Sequence, residues 1–349
     1  MSVSITDFGK TAGGENVRLV VLKNDQLEVH LLTYAALIHK ILVPDRNGNP
    51  VDVVLGYPTV PDYERNTDYM GRAIGRFANR IGGAQFPLYE ETIHVTANEN
   101  GNCLHSGLHG FGATLFDVEP TAGENDSVTM TASSPDGTDG FPGNVELEIQ
   151  YKLVKSGLMI HYTATTDAPT VCSLTNHSYF NLNGHASGTA LGHRVSVDAD
   201  AYLETDDGSI PTGRRIPVAG TPMDFTEEKT LGLDIGADYP ALNQGGGYDH
   251  CYIIRDTGLR HAAWVTGPQT GIRMEVLTTL PGMQLYSANS LAPVTDCKDG
   301  AHYQKRDAVC LETEEFPDAP NHPDFPDTTV LPDTPYSSTT IYRFDLAPQ

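Results

Sequence analysis

The sequence predicts a large all-β fold, an antiparallel β-sandwich, and three observations predict it. Short β-prone runs recur along the chain, separated by clusters rich in Gly, Pro and Asp. One stretch, Val145-Glu146-Leu147-Glu148-Ile149-Gln150-Tyr151-Lys152-Leu153, alternates strictly between apolar and polar residues, which gives a strand one buried and one wet face. Segments with a helical apolar period are nearly absent; only 59–72 and 226–243 are expected to hold one short helix each. Many strands, few helices and turn-rich joins are the pattern of a sandwich or barrel.

Taken in order, Val17 to Asn24 and Leu27 to Thr33 read as an opening hairpin around an Asp25-Gln26 turn. Ile38 to Val43 stops at Pro44, and Asp45-Arg46-Asn47-Gly48-Asn49 turns the chain into Val51 to Leu55. After the alternating run, a Ser156-Gly157 turn leads to Leu158, Ile160, Tyr162 and Ala164, which continue the alternation and complete a long hairpin. Further strands are expected at Arg194 to Val197, His250 to Ile254, Ala262 to Val265, Ile272 to Thr278, Gln284 to Ala288, Val309 to Thr313 and Thr340 to Phe344. No linker and no internal repeat interrupts them, so residues 1–349 read as one domain. At 39% hydrophobic residues the chain has enough apolar material for a large core.

Charge narrows the function classes. Lys and Arg number 22 against 45 Asp and Glu, a formal net charge of -23. Nucleic acid and anionic membranes require a basic face, and no Lys/Arg run exists. A small neutral ligand is the easiest partner to reconcile with this charge. The five cysteines are scattered with no CxxC, so neither a zinc ribbon nor a redox pair is indicated. The N-terminus lacks a basic then apolar leader, and no apolar run approaches the ~20 residues of a membrane span. Reduced thiols and a cytoplasmic location are the economical expectation.

Five polar clusters carry the candidate chemistry. Gly75-Arg76-Phe77-Ala78-Asn79-Arg80-Ile81-Gly82-Gly83 sets two arginines and an asparagine among small residues, either to approach a ligand or to pair with carboxylates. Asn98 to Gly112 holds His105 and His109, four apart; in a glycine-dense loop that spacing favours a ligand-touching imidazole over a zinc site. Thr175-Asn176-His177-Ser178-Tyr179-Phe180-Asn181 offers a donor or acceptor at nearly every position, and His177 titrates near neutrality. Its histidine is either satisfied by its asparagine neighbours or aimed at a polar ligand. Gly245-Gly246-Gly247-Tyr248-Asp249 brings a carboxylate into a strand, and Pro281 to Asn289 presents Gln284. In Ala308 to Asn321, Glu312 falls near the end of an apolar strand, where desolvation would raise its pKa toward that of a general base. Glu314 and Glu315 are expected to be wet.

Together these stretches resemble the aldose 1-epimerase (galactose mutarotase) family. The matching segments are GRFANRIGG (75–83), NCLHSG (102–107), DGFPGNVELEIQY (139–151), LTNHSYFNL (174–182), IPTGRRIPVAGTPMDF (210–225), GYDH (247–250), PGMQLYSAN (281–289) and CLETEEFPDAPNHPDFP (310–326), in family order. The resemblance implies a supersandwich of the galactose mutarotase type and interconversion of the anomers of free hexoses such as galactose and glucose. It implies Glu312 as general base, His177 as general acid and His105 as the histidine that holds the sugar and polarises the reacting oxygen. Asn79, Arg80, Ser178, Tyr179, Asp249 and Gln284 match positions that contact sugar hydroxyls. It implies no cofactor and no metal, and a monomer or weak homodimer. The segment 106–116 departs from the family pattern: Ser106 takes a glycine position, His109 is added, and GFGATLF lacks the usual Asp, Lys and Trp. A sugar-binding or sensing protein on the same fold, without catalysis, is the alternative from another class. A glycosidase, which needs paired carboxylates, is a further one, with Asp249 and Glu312 as the pair.

Overall fold

A computed structural model describes residues 2–348. Three antiparallel sheets carry the architecture. The first is a meander of five strands in sequence order, Ser2–Lys10, Asn16–Lys23, Glu28–Leu32, Leu37–Pro44 and Pro50–Asp52. The second has nine strands, in the order Asp117–Pro120, Ser127–Ser134, Val145–Val154, Gly157–Thr166, Tyr336–Leu346, Ile272–Thr278, Arg260–Thr266, Arg194–Val197 and Lys229–Thr230. The third has five, in the order Pro211–Pro217, Ala199–Thr205, Asp249–Ile254, Gly282–Tyr286 and Cys310–Glu314. The C-terminal strand lies at the middle of the nine-stranded sheet, between Gly157–Thr166 and Ile272–Thr278, so the two halves of the chain share one ladder.

The alternating run forms the expected hairpin, with Leu147 opposite Ala164, Ile149 opposite Tyr162 and Tyr151 opposite Ile160. All six side chains are buried, while Glu146 and Glu148 on the other face are exposed. They join a hydrophobic core that takes Val20, Val29 and Ile41 from the first sheet and Tyr252, Met283, Leu285 and Leu311 from the third. At roughly 25 cal/mol per Å² of apolar surface removed from water, burying each such side chain stabilises the fold by about 1.5–3 kcal/mol.

Helix is as scarce as the sequence implies. Val60–Arg65 forms within the expected 59–72, capped by Thr59, whose hydroxyl accepts the Asp62 N–H. The second helix begins at the end of the expected 226–243 and runs two residues past it. It is Pro240–Gly245, started by Pro240 and ended by Gly246 in a left-handed conformation. The preceding residues go instead to the short edge strand Lys229–Thr230 and to turns. The sequence reading also missed the Ser2–Lys10 strand, whose side chains are mostly exposed and carry little apolar signal.

Candidate active site

The site grows from the period of two on the third sheet. Along Cys310–Glu314, Leu311 points into the core, so Glu312 and Glu314 share the opposite face. On the neighbouring strand Met283 and Leu285 point inward, and Gln284, directly across from Glu312, points with it. Asp249 begins the next strand, two residues before Cys251, the cross-strand partner of Gln284. Its carboxylate accepts the Gln284 Nε2–H at 2.7 Å. Gly247, just before it, has φ +141°, and a Cβ there would meet Asn289 Oδ1 at 2.3 Å. The glycine run thus supplies a close backbone approach that sets where Asp249 enters the sheet.

Two connecting segments close the other side. Thr175 and Asn176 pair with Ile74 and Ala73, which delivers His177 to the same space. The asparagines do not satisfy His177: Asn176 donates to Gly71 O, and Asn181 donates to Gly188 O and Asp307 O. They fasten backbone instead. The His177 ring is held between Tyr69 and Tyr179, at centroid separations of 6.3 and 5.1 Å and nearly parallel. Its Nε2 lies 3.5 Å from Glu312 Oε2, and its buried Nδ1 has no protein partner.

His105 and Asn79 both adopt left-handed backbone, φ +51° and +62°, a conformation uncommon outside glycine. They hold each other there. His105 N–H donates to Asn79 O at 3.0 Å, and Asn79 N–H donates to His105 Nδ1 at 3.1 Å. An amide can only donate, so Nδ1 is bare and the neutral ring carries its proton on Nε2. Arg80 makes a two-pronged contact with Glu99, both bonds 2.7 Å.

These residues line a cavity of about 340 Å³, of the size of small-molecule sites. Asn79, Arg80, His105, His177, Tyr179, Asp249, Gln284 and Glu312 all reach it. Ser178 does not: it is buried, and its hydroxyl donates to Asn176 Oδ1 at 2.6 Å. Tyr179 contributes its ring, since its hydroxyl is taken by Asp68 O. Gln284 Oε1 and Glu312 Oε2 are buried without a hydrogen-bond partner in the protein, which leaves two acceptors open to a donor entering the cavity.

The sequence reading missed Tyr69, Glu99 and Tyr286, which line the cavity too. Glu99 and Tyr286 lay inside stretches already singled out. His109 turns away: its ring is exposed beside Asp139, whose carboxylate accepts the N–H groups of Leu108 and His109.

Burial governs the charges. It pushes the Glu312 carboxyl well above the usual range, with Glu314 and Asp249 adding to the rise and Arg80 opposing it. It lowers His177 to about 4 and His105 well below its usual value. Desolvation is the leading cause at His177, whose side chain is buried against its neighbours. Glu314 and Glu315 were expected to be wet. Glu314 is fully buried, Glu315 is largely so, and burial lifts their carboxyls to about 8 and about 7.

Two groups bring three potential donor atoms within 4.8 Å, His105 with His177 and Glu312, and Asp52 with His185 and Asp299. In the second, the buried Lys298 ammonium, 2.8 Å from Asp52 Oδ2, already supplies the positive charge. The first is made of three buried side chains that the cavity itself brings together.

A family model described as aldose 1-epimerase matches residues 18–343. The chain belongs to the aldose 1-epimerase family. It is 37% identical to the galactose mutarotase of Homo sapiens, over 99% of each chain, and 34% identical to the aldose 1-epimerase of Escherichia coli K12, over 95% of this chain and 96% of that one. Among solved structures, it is similar to the galactose 1-epimerase of Lactobacillus acidophilus NCFM, at a TM-score of 0.87 and 25% identity over the full length of both. An aldose epimerase homologue from C. elegans superposes at 0.86 with 27% identity, covering 99% of this chain and all of that one. The galactose mutarotase sandwich expected from the sequence is the fold of this family member.

Proposed function

We propose that this aldose 1-epimerase interconverts the α and β anomers of free hexoses such as galactose and glucose, by opening and reclosing the sugar ring. The observation that carries the reading is the buried contact of His177 Nε2 with Glu312 Oε2, 3.5 Å apart at the floor of the cavity. The pair holds one proton. Placed on Glu312 that proton makes a neutral pair, and placed on His177 it makes an imidazolium beside a carboxylate; the proton count is the same. Arg80 favours the carboxylate.

As carboxylate, Glu312 takes the proton of the C1 hydroxyl while imidazolium His177 gives one to the ring oxygen. The C1–O5 bond breaks, and an open-chain aldehyde forms. Rotation about C1–C2 and reclosure with the roles reversed yields the other anomer. His105, neutral with its proton on Nε2, has a donor to polarise the reacting oxygen and no charge to compete for that proton. Asn79, Arg80, Asp249 and Gln284 read the remaining hydroxyls, and Tyr179 orients His177 by stacking. Each positioned acid or base contributes about 10²–10⁴-fold. The chemistry requires no cofactor. Residues 1–349 act as one domain, a reading supported by a family match from 18 to 343. A cytoplasmic monomer or weak homodimer fits the acidic surface, and among the described residues no helix is long and apolar enough to cross a membrane.

Polarimetry on freshly dissolved α-D-galactose and α-D-glucose tests the proposal. Faster decay to the same final rotation, with no new product, is expected. Sugar binding without acceleration would overturn it in favour of a sensing protein, and release of phenol from an aryl glycoside would point to a glycosidase.

A further inference from the structure

Glu314 is a carboxyl that the reaction above leaves unused. It lies two residues beyond Glu312 on the same face of the same strand, about 6.6 Å along it. Its cross-strand partner is Gly282, and a Cβ at Gly282 would meet Cys251 Sγ at 2.7 Å. The glycine leaves this part of the face without a side chain, and Glu314 opposite it is fully buried. One of its oxygens accepts the Asn79 Nδ2–H at 3.0 Å; the other has no partner in the protein. Asn79 in turn supports Arg80 through its Oδ1 and His105 through its main-chain N–H. A buried ionisable group with one idle oxygen is costly to keep unless its charge state has a use.

We propose that Glu314 is a positioning residue, electrostatically paired with Glu312: it anchors Asn79, and whether it is charged sets how strongly Glu312 holds the proton it shares with His177. The inference rests on the mutarotase reading. Two buried carboxyls on one strand face do not readily ionise together. Charge on Glu314 therefore makes Glu312 a stronger proton holder and keeps the Glu312–His177 pair in its one-proton form to higher pH. The other groups around them act on the same balance. Arg80 favours charge on both; Asp249, from the next strands, and Glu315, beside Glu314, oppose it; Cys251, Cys310 and Tyr342 stay neutral because burial raises each of them. His177 and His105 face Glu312 from the connecting segments, and burial disfavours the charged form of each.

Two readouts test the pair. Glu314→Gln keeps an acceptor for Asn79 and removes the charge; Glu314→Ala removes both. Carbon-13 NMR of labelled glutamate carboxyls, with Glu312→Gln to assign the signal, is expected to show the Glu312 midpoint falling by about one pH unit in Glu314→Gln. The alkaline limb of the background-corrected mutarotation rate should move down with it, while the acid limb stays. Glu314→Ala should show the same shift plus a raised KM, which the Gln variant largely restores. An unchanged Glu312 midpoint in Glu314→Gln overturns the pairing, whatever the activity. A shifted midpoint in a protein that accelerates no anomer exchange supports the pair and overturns the mutarotase reading instead.

Discussion

At the residue scale the site depends on which atoms are left free. His177 Nδ1 and Glu312 Oε2 are buried without a hydrogen-bond partner in the protein, and the proposed reaction uses both side chains. Glu312→Gln and His177→Asn should each lower kcat by about 10²–10⁴-fold while the circular dichroism spectrum stays native. Wild-type rates in either purified variant would remove that residue from the mechanism. Asp249 accepts from Gln284 and touches no proton-transfer atom, so Asp249→Ala should act mainly on KM, and an unchanged KM would count against a hydroxyl-reading role. Glu312 was legible in the sequence as a carboxylate at the end of an apolar strand. Glu314 was mistaken for a wet residue because a run of acidic residues looks solvated; strand alternation alone could have placed it with Glu312. Ser178 was named through its motif, but its hydroxyl is spent on Asn176.

At the element scale the cavity-lining face is a matter of register. The pairings of Asp249–Ile254, Gly282–Tyr286 and Cys310–Glu314 align Gln284 with Glu312, and a one-residue slip would turn both toward the core. Gly282 protects that register by leaving room for Cys251 Sγ. Gly282→Ala should therefore destabilise the protein by about 1–3 kcal/mol, as overpacking does, and lower turnover beyond what the lost stability explains. Urea unfolding and polarimetry on the same sample would check both; a variant neutral in both would show that the sheet absorbs the methyl group. The long hairpin was readable because each of its residues obeys the period of two. Only the end of the expected 226–243 is helical because Pro240 sets the start; the apolar residues before it, Leu231 and Ile235, are buried from turns instead.

At the scale of the whole molecule, buried ionisable groups set the pH range of stability. Burial lowers His39 to about 2 and His177, His193 and His250 to about 4. A depressed histidine contributes stability that is present above its unfolded pKa near 6.5 and lost as pH falls toward the folded value, about 1.4 kcal/mol per pH unit for each. Glu314, raised to about 8, works in the other direction: its contribution is present below about 4.5 and lost as pH rises through 8. Tm should fall on both sides of the mildly acidic range. Glu314→Gln should remove its share of the loss between about 4.5 and 8, and His193→Gln its share between about 4 and 6.5; an unaltered Tm profile in Glu314→Gln would mean that the carboxyl ionises without cost. The strand pattern, the acidic balance and the motifs were enough, by themselves, to establish an all-β fold and a family resemblance and to name candidate site residues, because periodicity and local composition are written along the chain. Only the tertiary structure decided which polar atoms remain free. Residues 79, 105, 177, 249, 284 and 312 meet through cross-strand register and backbone contacts between distant segments. Their charges are set by how completely those segments exclude water, which no local stretch encodes.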